Sequence, residues 1–144
     1  MRTPTARSQA QLADDHTREI PKVLCIDDDP DFVNALQLRL NRFEVEVIQA
    51  FFGTQGVWLA TREKPDLVIT DVRMPQGGGE YVIETLGRHS ETADIPIIVL
   101  TAERDCRALR RLRDLGAESC LTKPFRFAEL VPRLSQYIEL EQRL

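Results

Sequence analysis

The sequence is poor in the residues that build metal and redox centres. It holds three cysteines, Cys25, Cys106 and Cys120, and two histidines, His16 and His89. There is no CxxC pair and no Cys/His cluster, so the ligand spacing of a zinc site is lacking. An odd, widely spaced set gives no disulfide framework either, and reduced thiols in a cytoplasmic protein are the expectation. Cys25 and Cys120 fall in apolar runs, where a cysteine packs as a small hydrophobe. The single tryptophan, Trp58, reads as helix packing rather than as a binding platform. No apolar run approaches the ~20 residues of a membrane helix, and the opening MRTPTARSQAQLADDHTREI has no apolar core of a secretory signal. The net charge is only −4, whereas domains that grip nucleic acid are usually basic. Neither a membrane nor direct nucleic-acid contact is therefore expected.

What is present is a regular alternation. Residues 1–20 are polar and without a sustained period, and read as a flexible tail with a helical turn around Ala10 to Asp15. Residues 21–144 read as one domain. KVLCID (22–27), EVEVIQA (44–50), DLVITD (66–71), IPIIVLT (95–101) and Ser119 to Thr122 have the short apolar character of buried parallel strands. Between them lie helical stretches. The first opens on Asp29 as N-cap with Pro30 in the first turn and repeats Phe32, Leu36 and Leu40 at helical spacing. The others are expected over 54–63, 80–88, 103–115 and 127–142, the last with Pro132 near its start. Gly77, Gly78 and Gly79 mark a loop. Five strands alternating with five helices give an α/β fold with a doubly wound parallel sheet.

In such sheets ligands gather at the carboxyl ends of the strands. Those ends carry Asp27 and Asp28 after the first strand, Asp71 after the third, Thr101 on the fourth and Lys123 just past the fifth. Three carboxylates sharing one pocket repel one another unless a cation or shifted pKa values relieve them. Mg²⁺, a hard cation that takes one or two carboxylates plus waters and a phosphoryl oxygen, suits the set. A carboxylate beside Mg²⁺ and a lysine can act as a nucleophile toward phosphorus. Such chemistry needs positioning and charge neutralisation more than covalent help from the protein. Asp29 and Asp31, by contrast, are explained by N-capping and the helix dipole.

The motifs IDDDP at 26–30, DVRMP at 71–75, TA at 101–102 and KPF at 123–125 together resemble, in order and spacing, the receiver domains of two-component response regulators. The resemblance covers about residues 22–140. It implies a flavodoxin-like (βα)5 fold with strand order 2-1-3-4-5. It implies that Asp71 is the phosphoacceptor and that Asp28 ligates Mg²⁺, with Asp27 helping through water and the Arg73 carbonyl as a further ligand. Thr101 would be the switch hydroxyl, and Lys123, joined to Pro124 by a cis peptide, the phosphoryl counter-ion. The implied donor is a phosphohistidine on a sensor histidine kinase or phosphotransfer protein. A downstream protein would dock on the face of the fourth helix, fifth strand and fifth helix, a face that also serves homodimers. The chain would be a signalling switch that catalyses its own phosphorylation and dephosphorylation, without metabolic turnover.

Three features depart from the family pattern. Cys120 stands where an aromatic usually swings inward on activation, three places before Lys123. The Arg73 and Glu103 side chains sit at variable positions flanking the pocket, where they can block or orient water. The triple glycine is richer than usual and would loosen the entry to the third helix. The arginines at 104, 107, 110, 111 and 113 read as a solvated helix face, because acids at 103, 105 and 114 intersperse them. The first functional reading is a stand-alone receiver. The alternative is the N-terminal receiver of a DNA-binding transcriptional regulator whose output domain lies outside this chain. A degenerate receiver is opposed by the intact Asp27/Asp28/Asp71/Thr101/Lys123 set. A haloacid-dehalogenase-type phosphatase needs a second Asp two places after its nucleophile, where this chain has Arg73.

Overall fold

The apolar runs form one parallel sheet, and the stretches between them cover both of its faces. The structure, a computed structural model, describes residues 19–144, so the tail reading for residues 1–18 lies outside the described residues. In chain order the elements are β1 (Lys22–Ile26), α1 (Pro30–Leu40), β2 (Glu46–Ala50), α2 (Gly53–Glu63), β3 (Leu67–Thr70), α3 (Gly79–Arg88), β4 (Ile97–Thr101), α4 (Cys106–Leu115), β5 (Ser119–Thr122) and α5 (Phe127–Ser135). The five strands are parallel in the order β2-β1-β3-β4-β5, the expected flavodoxin-like arrangement.

Because side chains alternate across a strand, each strand feeds two cores. Val23 and Cys25, Leu67 and Ile69, and Ile98 and Leu100 pack with Val33, Leu36 and Leu40 of α1 and with Leu130 and Leu134 of α5. Leu24 and Ile26, Val68, and Ile97 and Val99 face the other way, onto Ala60 of α2, Ile83 and Leu86 of α3, and Leu112 of α4. Burial on both faces is why the strands read as continuous apolar runs. Full burial of one such leucine contributes roughly 2 kcal/mol.

Local chemistry sets the helix ends. Asp29 caps α1 by accepting from the Asp31 and Phe32 N–H groups, and Asp105 caps α4 by accepting from Arg107 N–H. The cap at Asp105 corrects the expected start of this helix at 103. Residues 103–105 are a loop, because the Glu103 carboxylate accepts from the Arg104 and Asp105 N–H groups at 3.1 Å each and so competes with helical pairing. The last helix is also shorter than its periodicity suggests. It stops at Ser135, with Pro132 inside it rather than near the start of a longer helix. The segment beyond turns back, and Phe43 and Gln142 form an antiparallel bridge. Glu44 N–H donates to the Glu141 carbonyl, and Arg143 N–H to that of Arg42, both at 2.7 Å. Tertiary pairing wins there over local helical propensity.

Candidate functional site

Register brings the chemistry to one sheet edge. Ile26 stands beside Thr70 and Thr101 beside Thr122, so the next residues, Asp27, Asp71 and Lys123, leave their strands at the same rim. The backbone holds them there. Asp27 N–H donates to the Ala50 carbonyl at 3.1 Å, Asp71 N–H to Ile26 at 2.9 Å and Lys123 N–H to Thr101 at 2.8 Å. The Lys123–Pro124 peptide is cis.

Ligand atoms of Asp27, Asp28 and Asp71 lie within 4.8 Å of one another, and this is the one such group among the described residues. The three differ in environment. Asp27 is buried, Asp71 is intermediate and Asp28 is exposed. One Asp27 oxygen accepts from Asp29 N–H at 3.0 Å, and the other accepts from the Lys123 ammonium at 2.7 Å. The same ammonium stands 3.9 Å from an Asp71 oxygen. The Asp71 carboxyl is pushed above its ordinary range. Burial is the main cause; the Val72 N–H and Lys123 pull the other way, while Asp27 and Asp28 add to the rise. Val72 N–H donates to Asp71 Oδ1 at 2.7 Å.

Thr101 is buried, and its hydroxyl oxygen accepts from Glu103 N–H at 3.1 Å. Glu103 in turn meets the Arg73 guanidinium at 3.2 Å. The ion pair joins the loop after β3 to the loop after β4 across the mouth of the site. The Arg73 side chain is 85% exposed, so the pair contributes little to stability. Asp27, Asp28, Asp71 and Lys123 thus meet at one rim, with Thr101 at the end of a strand of the same edge and Arg73 exposed beside Glu103.

Two expectations change. Within the triple glycine, Gly78 and Gly79 serve close approach rather than looseness. A Cβ on Gly78 would lie 2.4 Å from the Val72 carbonyl oxygen, and one on Gly79 2.7 Å from that of Asp71. The loop is pressed against the strand end that carries Asp71. Trp58 is 57% exposed and pairs with the Arg62 guanidinium, 5.1 Å from its ring centroid, so it is a surface residue of α2 rather than packing. Cys25 and Cys120 are buried and Cys106 is exposed, and burial, with a smaller push from Asp27, drives the Cys25 thiol up to about 12. Phe32 packs against the core as its helical spacing predicts, but sequence reasoning missed its second contact, a ring centroid 3.9 Å from Lys123 Nζ. Nothing in the spacing separates such a phenylalanine from one with core contacts alone.

Residues 23–135 match the family described as Response regulator receiver domain. Among curated proteins the chain is similar to the DNA-binding dual master transcriptional regulator RpaA of Synechocystis, with 34% identity over 87% of this chain and 52% of that protein. It is also similar to hybrid signal transduction histidine kinase D of Dictyostelium discoideum, with 30% identity over 85% of this chain and 8% of that protein. The chain therefore spans about half the length, or much less, of these relatives. Among solved structures it is similar to the Vibrio cholerae chemotaxis protein CheY4, with a TM-score of 0.78 and 27% identity over 83% of this chain and 100% of that one.

Proposed function

Because the chain belongs to the response regulator receiver domain family, we propose that it is a phosphorylation switch whose acceptor is Asp71. One observation carries the reading. Asp71 has a lysine ammonium 3.9 Å away and two further carboxylates within ligand distance, at the sheet edge where α/β folds bind ligands.

The acid set fits Mg²⁺. Three carboxylates face one ammonium, and the deficit of positive charge at a partly buried place favours a hard divalent cation with oxygen ligands. Asp28 and Asp71 would hold it directly, with the Arg73 carbonyl, and Asp27 through water. When bound, Mg²⁺ supplies positive charge that offsets the phosphoryl oxygens.

The chain's own residues do the rest. An Asp71 carboxylate oxygen attacks phosphorus, the P–O bond forms and the P–N bond of a phosphohistidine donor breaks. The electron pair stays on the imidazole nitrogen, which takes a proton from solvent. Lys123 offsets the charge of the transferred group, and Thr101 offers it a hydroxyl. The donor is a sensor histidine kinase or a phosphotransfer protein. The new charge acts by shifting a population between two conformers, read by a downstream protein on the α4/β5/α5 face, which also suits a homodimer. Cys120 replaces the large ring that would otherwise report the change, so transmission rests on Thr101 and its loop. No helix among the described residues is long and apolar enough to cross a membrane, and the proposed place of action is the cytoplasm.

The test is acetyl phosphate with and without Mg²⁺, followed by borohydride, which converts an aspartyl phosphate to homoserine. Conversion at position 71 that needs Mg²⁺ and vanishes in Asp71→Asn supports the reading. Undiminished labelling of Asp71→Asn overturns it.

A second reading is the receiver of a DNA-binding regulator. It is favoured by the relative whose name carries that activity and of which this chain spans 52%. A reading frame that continues past Leu144 into an output domain would support it, and a stop codon there would remove it.

A further inference from the structure

Lys123 sits in an arrangement that its carboxylate partners alone do not explain. Its ammonium is bound by Asp27 at 2.7 Å, but the same nitrogen stands over the face of Phe32, 3.9 Å from the ring centroid. That is well inside the roughly 6 Å range over which an aromatic ring attracts a cation. The ring is itself held. Phe125 meets it edge-on, with centroids 6.3 Å apart and planes at 81°, the T-shaped geometry that aromatic pairs prefer. Phe32 comes from α1, while Lys123 and Phe125 flank Pro124 in the loop after β5. One short loop thus supplies both the cation over the ring face and the aromatic that sets the ring's tilt.

A ring and a carboxylate do different work. Asp27 is drawn toward any cation at the acid cluster, and its hold on Lys123 weakens as its charge is shared. The face of Phe32 keeps its attraction whatever the carboxylates bind, because it has no oxygen to offer a metal. Its attraction is spread over the ring face rather than fixed on one acceptor atom, and the ammonium it holds stands 2.7 Å from Asp27 and 3.9 Å from Asp71.

We propose that Phe32 is a positioning residue, whose ring seats the Lys123 ammonium so that it stays at the acid cluster while its anionic partner changes. This deepens, and rests on, the reading of Asp71 as phosphoacceptor.

The test compares Phe32→Leu, apolar and of similar bulk but without a ring face, with Phe32→Tyr, which keeps the face. Each is made in the wild-type chain and in Lys123→Ala. Two readouts are taken. In NMR, the Lys123 Cε methylene protons of the wild type should resonate upfield of exposed lysines, through the ring current. They should return toward the exposed position in Phe32→Leu and stay upfield in Phe32→Tyr. With acetyl phosphate and saturating Mg²⁺, Phe32→Leu should phosphorylate about fivefold more slowly. Phe32→Tyr should stay near wild type, and Phe32→Leu should add nothing in the Lys123→Ala background. An unshifted Lys123 in the wild type, equal losses in Leu and Tyr, or a full Leu effect without Lys123 would overturn the seat. A wild-type chain that takes no label would instead overturn the acceptor reading, and the NMR comparison would still decide on Phe32.

Discussion

Lys123→Ala should destabilise the chain strongly in the absence of divalent cations, because it strands a buried charge. Asp27 is 4% exposed, and the Lys123 ammonium at 2.7 Å is the partner of one of its oxygens. Removing one member of a buried pair costs roughly 3–5 kcal/mol. The Lys123 side chain is 22% exposed, and Asp27 keeps the Asp29 N–H at 3.0 Å, so the expected loss is about 2–3 kcal/mol. That should lower Tm by about 10 °C in a domain of this size. Asp27→Asn in the Lys123→Ala background should recover much of the loss, since an amide needs no counter-ion. The double-mutant cycle should give a coupling of about 2 kcal/mol. Urea unfolding followed by far-UV circular dichroism, in chelator, measures all four proteins. Adding Mg²⁺ should narrow the gap between Lys123→Ala and wild type, because a cation held by the acids replaces the lost ammonium. A Lys123→Ala midpoint within about 0.5 kcal/mol of wild type, or losses that simply add, would refute the assignment of this pair as a buried one.

Other expectations are separately measurable. Asp28→Ala should weaken Mg²⁺ binding by more than about tenfold, through loss of a direct carboxylate ligand, and an unchanged calorimetric titration would remove Asp28 from the site. Gly78→Ala should destabilise by about 1–3 kcal/mol, because its Cβ would meet the Val72 carbonyl oxygen at 2.4 Å; wild-type urea stability would show that the loop is slack after all. Of the three thiols, Cys106 should react at once with a disulfide reagent, and Cys25, whose thiol is raised to about 12 by burial, only after unfolding; rapid labelling of Cys25 in the native chain would contradict the packing of β1. Glu103→Gln should change stability by less than about 0.5 kcal/mol, as its partner Arg73 is 85% exposed, and a large shift in unfolding midpoint would mean the pair does more than tie two loops.

The residue pattern by itself determined the class of fold and the gathering of Asp27, Asp28, Asp71 and Lys123 at one edge. Apolar runs at 22–27, 66–71 and 95–101 read as strands buried on both faces, and the acids that end the first two place charge at the rim. Asp29 and Pro30 announced the start of α1 for reasons of hydrogen bonding confined to a single turn. Tertiary structure decided what lies between elements. Helical periodicity runs on past Ser135, yet the chain turns back to pair with Phe43. Gly78 and Gly79, which read as slack, are pressed against the strand end. Phe32 repeats with Leu36 and packs against the same core, and its ring also lies against a lysine 91 positions away. Periodicity reports which side of one element avoids water. It is silent on which other element covers that side, because that depends on strand order and on the fit of side chains brought together only when the whole sheet has formed.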